Sequence, residues 1–135
     1  MNREELKKEL IRDEGLKLKA YKDSVGVLTI GCGHNLNEPI SEIVALAILE
    51  DDISTVEAGL DRTFPWWRGL SEVRQRVMAN MAFNLGIVRL MGFKRTMEAM
   101  RDGDFALAAN EMLASKWSVQ VGERARRLAS MMRNG

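Results

Sequence analysis

The sequence predicts an α+β fold that is mainly α-helical, and three features of the chain support this prediction. Its 135 residues suit one compact domain with a core of its own. Residues 16–34 alternate apolar and polar side chains around a turn, which is typical of a β-hairpin. Most of the remaining chain repeats apolar residues at helical spacing. We therefore expect a single domain over residues 1–135 with a small sheet near its start.

The first helix is predicted to begin after Asn2 and to end near Gly15. Asn2 followed by Glu5 is an N-terminal capping pattern, and a glycine commonly ends a helix. The hairpin comes next, with its turn at residues 22–26, after which Gly31 and the following glycine loosen the backbone.

A long helix is predicted from its N-cap Ser41 to about Asp61. At about 1.5 Å per residue it spans roughly 30 Å, which is long enough to join two lobes with a cleft between them. Beyond residue 64 the chain is predicted to be helical, with caps at Ser71 and Asp104. Helix breaks are expected at Gly69, Gly86, Gly92, Gly103 and Gly122.

Several features bear on where the protein folds. Cys32 is the single cysteine, so no disulfide can form within the chain, which favours a reducing cytoplasm. The first ten residues lack the apolar run of a secretory signal. The most apolar stretch, residues 77–93, contains Arg89 and two asparagines, so it is predicted to be a buried core helix and not a membrane span.

The net charge of +1 is unevenly distributed. Residues 1–60 carry 7 Lys/Arg and 12 Asp/Glu, a net charge of −5, whereas residues 61–135 carry 13 and 7, a net charge of +6. The basic part can attract a polyanion, and charge alone leaves open whether this is nucleic acid or the acidic polymers of a cell wall.

Two carboxylates have the positions that acid–base chemistry needs. Glu14 lies at the end of the first predicted helix, where the partial negative charge of the helix terminus favours its protonated form. Asp23 lies in the hairpin turn and should stay ionised. Such a pair of unlike carboxyl groups is what glycoside hydrolysis uses. On spacing alone, the simpler interpretation of a surface helix-end residue and an ordinary turn aspartate is favoured, and the longer string around the two residues decides against it.

The string around these carboxylates resembles the catalytic signature of phage-type lysozymes, the endolysins of glycoside hydrolase family 24. Glu14 is followed after eight residues by Asp23, after five more by Thr29, and then by Ile-Gly-Cys-Gly-His. Residues 80–86 resemble the central-helix motif of the family, and the segments 115–117 and 124–127 resemble its C-terminal motif.

The resemblance implies a lysozyme-like fold with an active-site cleft between two lobes. A small hairpin lobe with the connecting helix would cover residues 14–60. Residues 61–135 together with residues 1–13 would form the helical lobe. Only residues 35–40 separate the signature from the long helix, fewer than in the best-known members, so we expect a shallower cleft.

The resemblance also implies a role for each residue of the signature. Glu14 would be the general acid on the glycosidic oxygen, Asp23 the base that activates water, and Thr29 the hydroxyl that positions this water, with inversion at the anomeric carbon. Arg124 would orient the acid.

Further residues follow from the resemblance alone. His34 is expected to pair with Asp52 in a structural role, and Phe83, Asn35 and Thr96 are expected to contact substrate. No metal or cofactor is expected, because the chain has one histidine and one cysteine.

By resemblance, the activity is hydrolysis of the β-1,4 bond between N-acetylmuramic acid and N-acetylglucosamine in peptidoglycan glycan strands. A monomer with neither a nucleic-acid partner nor stable membrane insertion is expected, held in the host cytoplasm until a holin-type membrane lesion releases it. Two alternatives remain open. One is a lytic transglycosylase, and the other is a non-catalytic helical module that binds wall polymer or nucleic acid through Arg124, Arg126 and Arg127.

Overall fold

The computed structural model describes all residues 1–135, and the α+β class with its excess of helix is confirmed. Three short strands lie near the start of the chain: β1 (Lys17–Lys22), β2 (Leu28–Gly31) and β3 (His34–Asn35). The helices are α1 (Arg3–Glu14), α2 (Glu42–Thr63), a 3₁₀ helix (Pro65–Gly69), α3 (Glu72–Leu85), α4 (Ile87–Met91), α5 (Lys94–Asp102), α6 (Phe105–Leu113), α7 (Lys116–Val121) and α8 (Glu123–Asn134).

The chain divides into two compact units, Met1–Ala45 and Leu46–Gly135. The predicted division into a small lobe of residues 14–60 and a helical lobe of residues 61–135 together with residues 1–13 stays a prediction. Helix α1 buries no side chain of its own, and its last residue approaches Gly33 in the turn between β2 and β3. The predicted arrangement of two lobes around a cleft stays a prediction.

The first unit contains α1 and an antiparallel sheet of order β1-β2-β3. The predicted start of α1 is confirmed, since Asn2 Oδ1 accepts a hydrogen bond from the Glu5 N–H at 3.1 Å. Its predicted end is confirmed as well, because Gly15 follows the helix with a φ of 78°. A positive φ of this kind is readily adopted by glycine and rarely by other residues.

The predicted hairpin is confirmed, and a third strand extends it. Strands β1 and β2 pair antiparallel with Tyr21 opposite Thr29. The prediction of a hairpin alone was incomplete, because β3 pairs with the other edge of β2 and places Asn35 opposite the same threonine. Gly31 and Gly33 adopt φ values of 69° and 78°, which allow the tight turn from β2 into β3.

Besides Asn2, the helix caps agree with the sequence prediction at three further positions. Ser41 Oγ accepts from the Val44 N–H at 3.3 Å at the start of α2. Ser71 and Asp104 accept backbone N–H groups at 3.2 and 3.1 Å at the starts of α3 and α6. A fifth cap, Ser115, begins α7 and was not predicted. It separates α6 from α7 where the sequence has no glycine or proline.

The core lies in the second unit and is rich in methionine. Five of its eight largest fully buried side chains are methionines, whose flexible thioether chains fill irregular gaps well. None of the helices combines the length and the apolar character needed to cross a bilayer. The largest fully buried side chains are Leu60, Val77, Met78, Met81, Leu90, Met100, Met112 and Met132.

A carboxylate at the end of α2 holds the 3₁₀ helix in place. Asp61 Oδ1 accepts from Trp67 Nε1 at 2.7 Å and from Arg68 Nε at 2.9 Å. The hydrogen bond from Arg68, followed by that from Trp67, lowers the pKa of Asp61 below its ordinary value of 3.8. A carboxylate whose pKa is lower in the folded state than in the unfolded state stabilises the fold. This stabilisation is complete at pH values above the ordinary pKa, and it is lost as the pH falls through the lower pKa of the folded state.

We therefore expect Asp61→Asn to melt at a lower temperature than the parent at neutral pH, and the difference to shrink below about pH 4. Thermal unfolding followed by circular dichroism at several pH values measures this. Asp102→Asn is the control, since that exposed carboxylate has only a 3.5 Å contact with Arg101. If the difference in melting temperature between Asp61→Asn and the parent stayed constant down to pH 2, the lowered pKa of Asp61 would not be its cause.

Candidate active site

Glu14 is the last residue of α1, and its carboxyl group lies against the turn between β2 and β3. A methyl group built on the α-carbon of Gly33 would lie 2.9 Å from Glu14 Oε2 and 3.1 Å from Glu14 Cδ. The absence of a side chain at Gly33 therefore leaves the space that the glutamate occupies. The Glu14 side chain is exposed. The Glu14 carboxyl group is therefore accessible to another molecule at the junction between the end of α1 and the β2–β3 turn.

Asp23 begins the turn between β1 and β2 and closes it through its side chain. Its Oδ1 accepts from the N–H groups of Val25 at 3.0 Å and Val27 at 2.8 Å. The backbone adds a bond from the Asp23 N–H to the Val27 carbonyl at 2.9 Å. The second oxygen, Oδ2, accepts no hydrogen bond from the chain and is free to take one from another molecule.

Thr29 lies in β2, the central strand, with 4% of its surface exposed. Its hydroxyl donates to the Val27 carbonyl at 2.8 Å, the same oxygen that accepts the Asp23 N–H. Val27 therefore connects Asp23 and Thr29 through its backbone. The threonine oxygen keeps lone pairs that can accept a hydrogen bond from water. Sequence reasoning missed this link, because a backbone carbonyl leaves no mark in the side-chain pattern.

The unit Met1–Ala45 thus contains all three residues of the predicted signature, held by α1, the β1–β2 turn and β2. One carboxyl group at a helix end, one carboxylate with a free oxygen and one hydroxyl are the groups needed to protonate a leaving oxygen and to activate water.

Two further predicted residues lie in β3. Asn35 Oδ1 accepts from the Asn37 N–H at 2.9 Å, so its side chain shapes the segment after the strand. His34 is exposed and lies opposite Ile30. Asp52 is exposed on α2 in the second unit. Its pairing with His34 and the substrate contact of Asn35 stay predictions.

Arg124 lies near the start of α8 and is fixed by α3. Its Nε donates to Asn80 Oδ1 at 2.9 Å, and a terminal nitrogen reaches the Asn80 carbonyl at 3.5 Å. Both residues line a groove of about 590 Å³ within the second unit, together with Phe83, which is 45% exposed. An exposed ring of this kind is suited to contact a sugar. Sequence analysis placed Asn80 in a family motif without this role.

Thr96 and Trp117 belong to a different groove of the second unit. Trp117 is buried and donates from Nε1 to Asn84 Oδ1 at 2.8 Å, which joins α7 to α3. Thr96 has 3% of its surface exposed, so it offers little area to a substrate. The predicted substrate contacts of Phe83 and Thr96, and the orientation of Glu14 by Arg124, stay predictions.

The chain is similar to known proteins over most of its length. The model of the phage lysozyme family matches residues 12–133. The chain is 28% identical to the probable T4-type lysozyme 1 of Dictyostelium discoideum, over 91% of this chain and 90% of that protein. It is 31% identical to the endolysin of Acyrthosiphon pisum secondary endosymbiont phage 1, over 79% of this chain and 73% of that protein.

A third similarity is to part of a larger protein. The chain is 28% identical to the pre-baseplate central spike protein Gp5 of Enterobacteria phage T4, over 93% of this chain but only 27% of that protein. The family match covers nearly the whole chain, including every residue of the predicted signature. The chain therefore belongs to the phage lysozyme family.

Proposed function

We propose that this phage lysozyme hydrolyses the β-1,4 bond between N-acetylmuramic acid and N-acetylglucosamine in bacterial peptidoglycan. The observation that carries the proposal is the arrangement of three groups in the first unit. Glu14 closes α1 against Gly33, and the Val27 backbone joins Asp23 to Thr29. No step of the proposed reaction requires a metal or a cofactor.

In this mechanism the Glu14 carboxylic acid gives its proton to the glycosidic oxygen as the bond to the anomeric carbon breaks. Asp23 Oδ2 accepts a proton from a water molecule, and that water attacks the anomeric carbon from the opposite face. The Thr29 hydroxyl, which already donates to the Val27 carbonyl, accepts a hydrogen bond from this water. Direct attack by water inverts the configuration at the anomeric carbon.

Analysis of the products from purified peptidoglycan tests the reaction. We expect muropeptides that end in a reducing N-acetylmuramic acid, detected by mass spectrometry before and after borohydride reduction. Products that end in a 1,6-anhydro sugar would show transglycosylation, and new N-acetylglucosamine reducing ends would show that the other glycosidic bond is cut. Either result would overturn the proposal.

The two roles of Asp23 can be separated by a pair of substitutions. Asp23→Asn keeps Oδ1 as the acceptor for Val25 and Val27 but removes the charge, so we expect near-parent stability and about a hundredfold lower activity. Asp23→Ala also removes the acceptor, so we expect a further stability loss of about 1–2 kcal/mol. Urea unfolding and a turbidity assay measure the two effects. Equal activity of the parent and Asp23→Asn would refute the role as base.

We further propose that the chain acts as a monomer and remains in the host cytoplasm until a separate membrane lesion gives it access to the wall. Cells that express the protein should grow without lysis until a membrane-permeabilising agent is added, and should then clear rapidly. Cells that express Glu14→Gln should not clear after the same addition. Lysis of parent-expressing cells without any permeabilising agent would contradict the need for release.

A further inference from the structure

Tyr21 is the only tyrosine of the chain, and it is the residue of β1 that lies directly opposite Thr29. Directly opposite residues of an antiparallel pair carry their side chains on the same face of the sheet, with β-carbons about 5 Å apart. Asn35 lies opposite Thr29 on β3, the strand on the other side. Tyr21, Thr29 and Asn35 therefore form one row of side chains across the three strands.

Tyr21 is also a neighbour of Asp23 along the chain. The pairing of the two strands continues to Asp23, whose N–H donates to the Val27 carbonyl at 2.9 Å. Side chains two residues apart on a strand leave the backbone on the same face of the sheet. Tyr21 thus has Asp23 beside it along the chain and Thr29 beside it across the sheet. These two neighbours are the groups that hold the attacking water in the proposed mechanism.

The burial of this row limits how another molecule can reach Thr29. Thr29 has 4% of its surface exposed, whereas Tyr21 is half-buried. Because Tyr21 is a direct cross-strand neighbour of Thr29, its ring borders the opening to the threonine hydroxyl. A sugar that lies close enough to deliver its anomeric carbon to a water on Thr29 therefore also meets Tyr21.

The hydroxyl of Tyr21 has no partner within the chain. No fully enclosed polar side-chain atom of the protein lacks a hydrogen bond, so this unpaired hydroxyl reaches the surface while part of the ring is buried. A tyrosine hydroxyl can both donate and accept a hydrogen bond. A ring held by packing with a free polar end is well suited to contact a sugar.

Strand β1 is irregular just before Tyr21. Lys17 pairs with Gly31 and Tyr21 pairs with Thr29, so three residues of β1 lie opposite one residue of β2. Extra residues of this kind bend a strand, and they are frequent beside active sites, where they redirect a side chain. The bend ends at Tyr21, since the next residue, Lys22, pairs regularly with Leu28.

We propose that Tyr21 is a further substrate-contacting residue of the hydrolytic site. Its hydroxyl donates a hydrogen bond to an oxygen of the sugar that carries the attacked anomeric carbon. The inference rests on the proposed function, because that function brings this sugar to Asp23 and Thr29. The hydrogen bond forms when the sugar binds and persists in the transition state, so its loss raises KM and leaves kcat nearly unchanged.

Steady-state kinetics with solubilised peptidoglycan strands test this role in the variant Tyr21→Phe. The variant keeps the ring and loses only the hydroxyl. We expect KM to rise about threefold to tenfold, as the loss of one hydrogen bond between neutral groups predicts, while kcat stays within about twofold of the parent. The melting temperature should not change, because the hydroxyl has no partner within the chain. An unchanged KM would overturn the proposal.

Tyr21→Leu removes the ring as well and keeps an apolar side chain at this position. It should raise KM further than Tyr21→Phe does, after correction for the folded fraction by urea unfolding. Leu18→Ala is the control, since this side chain lies on the same strand and is 85% exposed. It should leave KM and kcat within about twofold of the parent. Equal changes in Leu18→Ala and Tyr21→Phe would mean that the hydroxyl is not the cause.

Binding without turnover separates this inference from the assignment of the reaction. Isothermal titration uses Glu14→Gln and a tetrasaccharide of alternating N-acetylglucosamine and N-acetylmuramic acid. Addition of Tyr21→Phe should weaken binding by about the factor seen in KM. An active parent with unchanged KM and affinity in Tyr21→Phe would refute the role of Tyr21 alone. A parent that releases no reducing N-acetylmuramic acid would refute the reaction, and the titration would still decide whether Tyr21 contacts the sugar.

Discussion

Replacement of Glu14 by glutamine is expected to lower the rate of peptidoglycan cleavage by about a hundredfold to ten-thousandfold while the chain stays folded. The amide has nearly the shape of the acid but cannot give a proton to the glycosidic oxygen. The Glu14 side chain is exposed and makes no hydrogen bond within the chain, so the substitution breaks no structural contact. The initial rate of turbidity loss with permeabilised cells measures activity, and circular dichroism measures the fold.

Glu9→Gln is the matched control for this prediction. Glu9 lies on the same helix, is exposed and forms no ion pair or hydrogen bond. Its replacement changes the net charge by the same amount and should leave the rate within about twofold of the parent, since isolated surface charges matter little. A Glu14→Gln variant that cleared cells as fast as Glu9→Gln would show that another group is the acid.

The second large effect is expected at Gly33. A methyl group there would come within 2.9 Å of Glu14 Oε2, and the φ of 78° is unfavourable for alanine. Gly33→Ala should therefore lose about 1–2 kcal/mol of stability from the backbone and also displace the Glu14 carboxyl group. Because a displacement of about 1 Å can cost a hundredfold in rate, we expect at least a tenfold loss of activity.

Gly31→Ala separates these two consequences. Gly31 has a similar φ of 69°, but a methyl group on it would meet nothing within 4 Å. Both alanine variants should therefore lose similar stability, whereas only Gly33→Ala should lose activity well beyond the loss of folded protein. Urea unfolding and rates corrected for the folded fraction test this comparison. Equal activity losses in the two variants would mean that backbone strain, and not the position of Glu14, is responsible.

The features that could be predicted from the sequence are those with local causes. The caps at Asn2, Ser71 and Asp104 each bond a backbone N–H three residues away, so the residue type and its spacing carry the whole signal. The β1–β2 hairpin follows from alternation and a turn residue. The family signature placed Glu14, Asp23 and Thr29 together, and the family match covers all three.

The features that could not be predicted depend on contacts between distant segments. Strand β3 has only two residues, too few to show an alternating pattern, and it forms because the β2–β3 turn returns the chain to the edge of β2. The bond between Arg124 and Asn80 crosses 44 residues. The use of the Val27 carbonyl by both Asp23 and Thr29 is a backbone contact that no side-chain motif records.

The sequence by itself determined the helical class, the helix caps at Asn2, Ser41, Ser71 and Asp104, and the chemical groups available for catalysis, because these follow from residue types and short spacings. Only the tertiary structure decided what those groups face. It placed Glu14 against Gly33 and joined Arg124 of α8 to Asn80 of α3. The reason is physical, since the direction of a side chain depends on how helices and strands pack, and packing joins residues that are far apart in the chain.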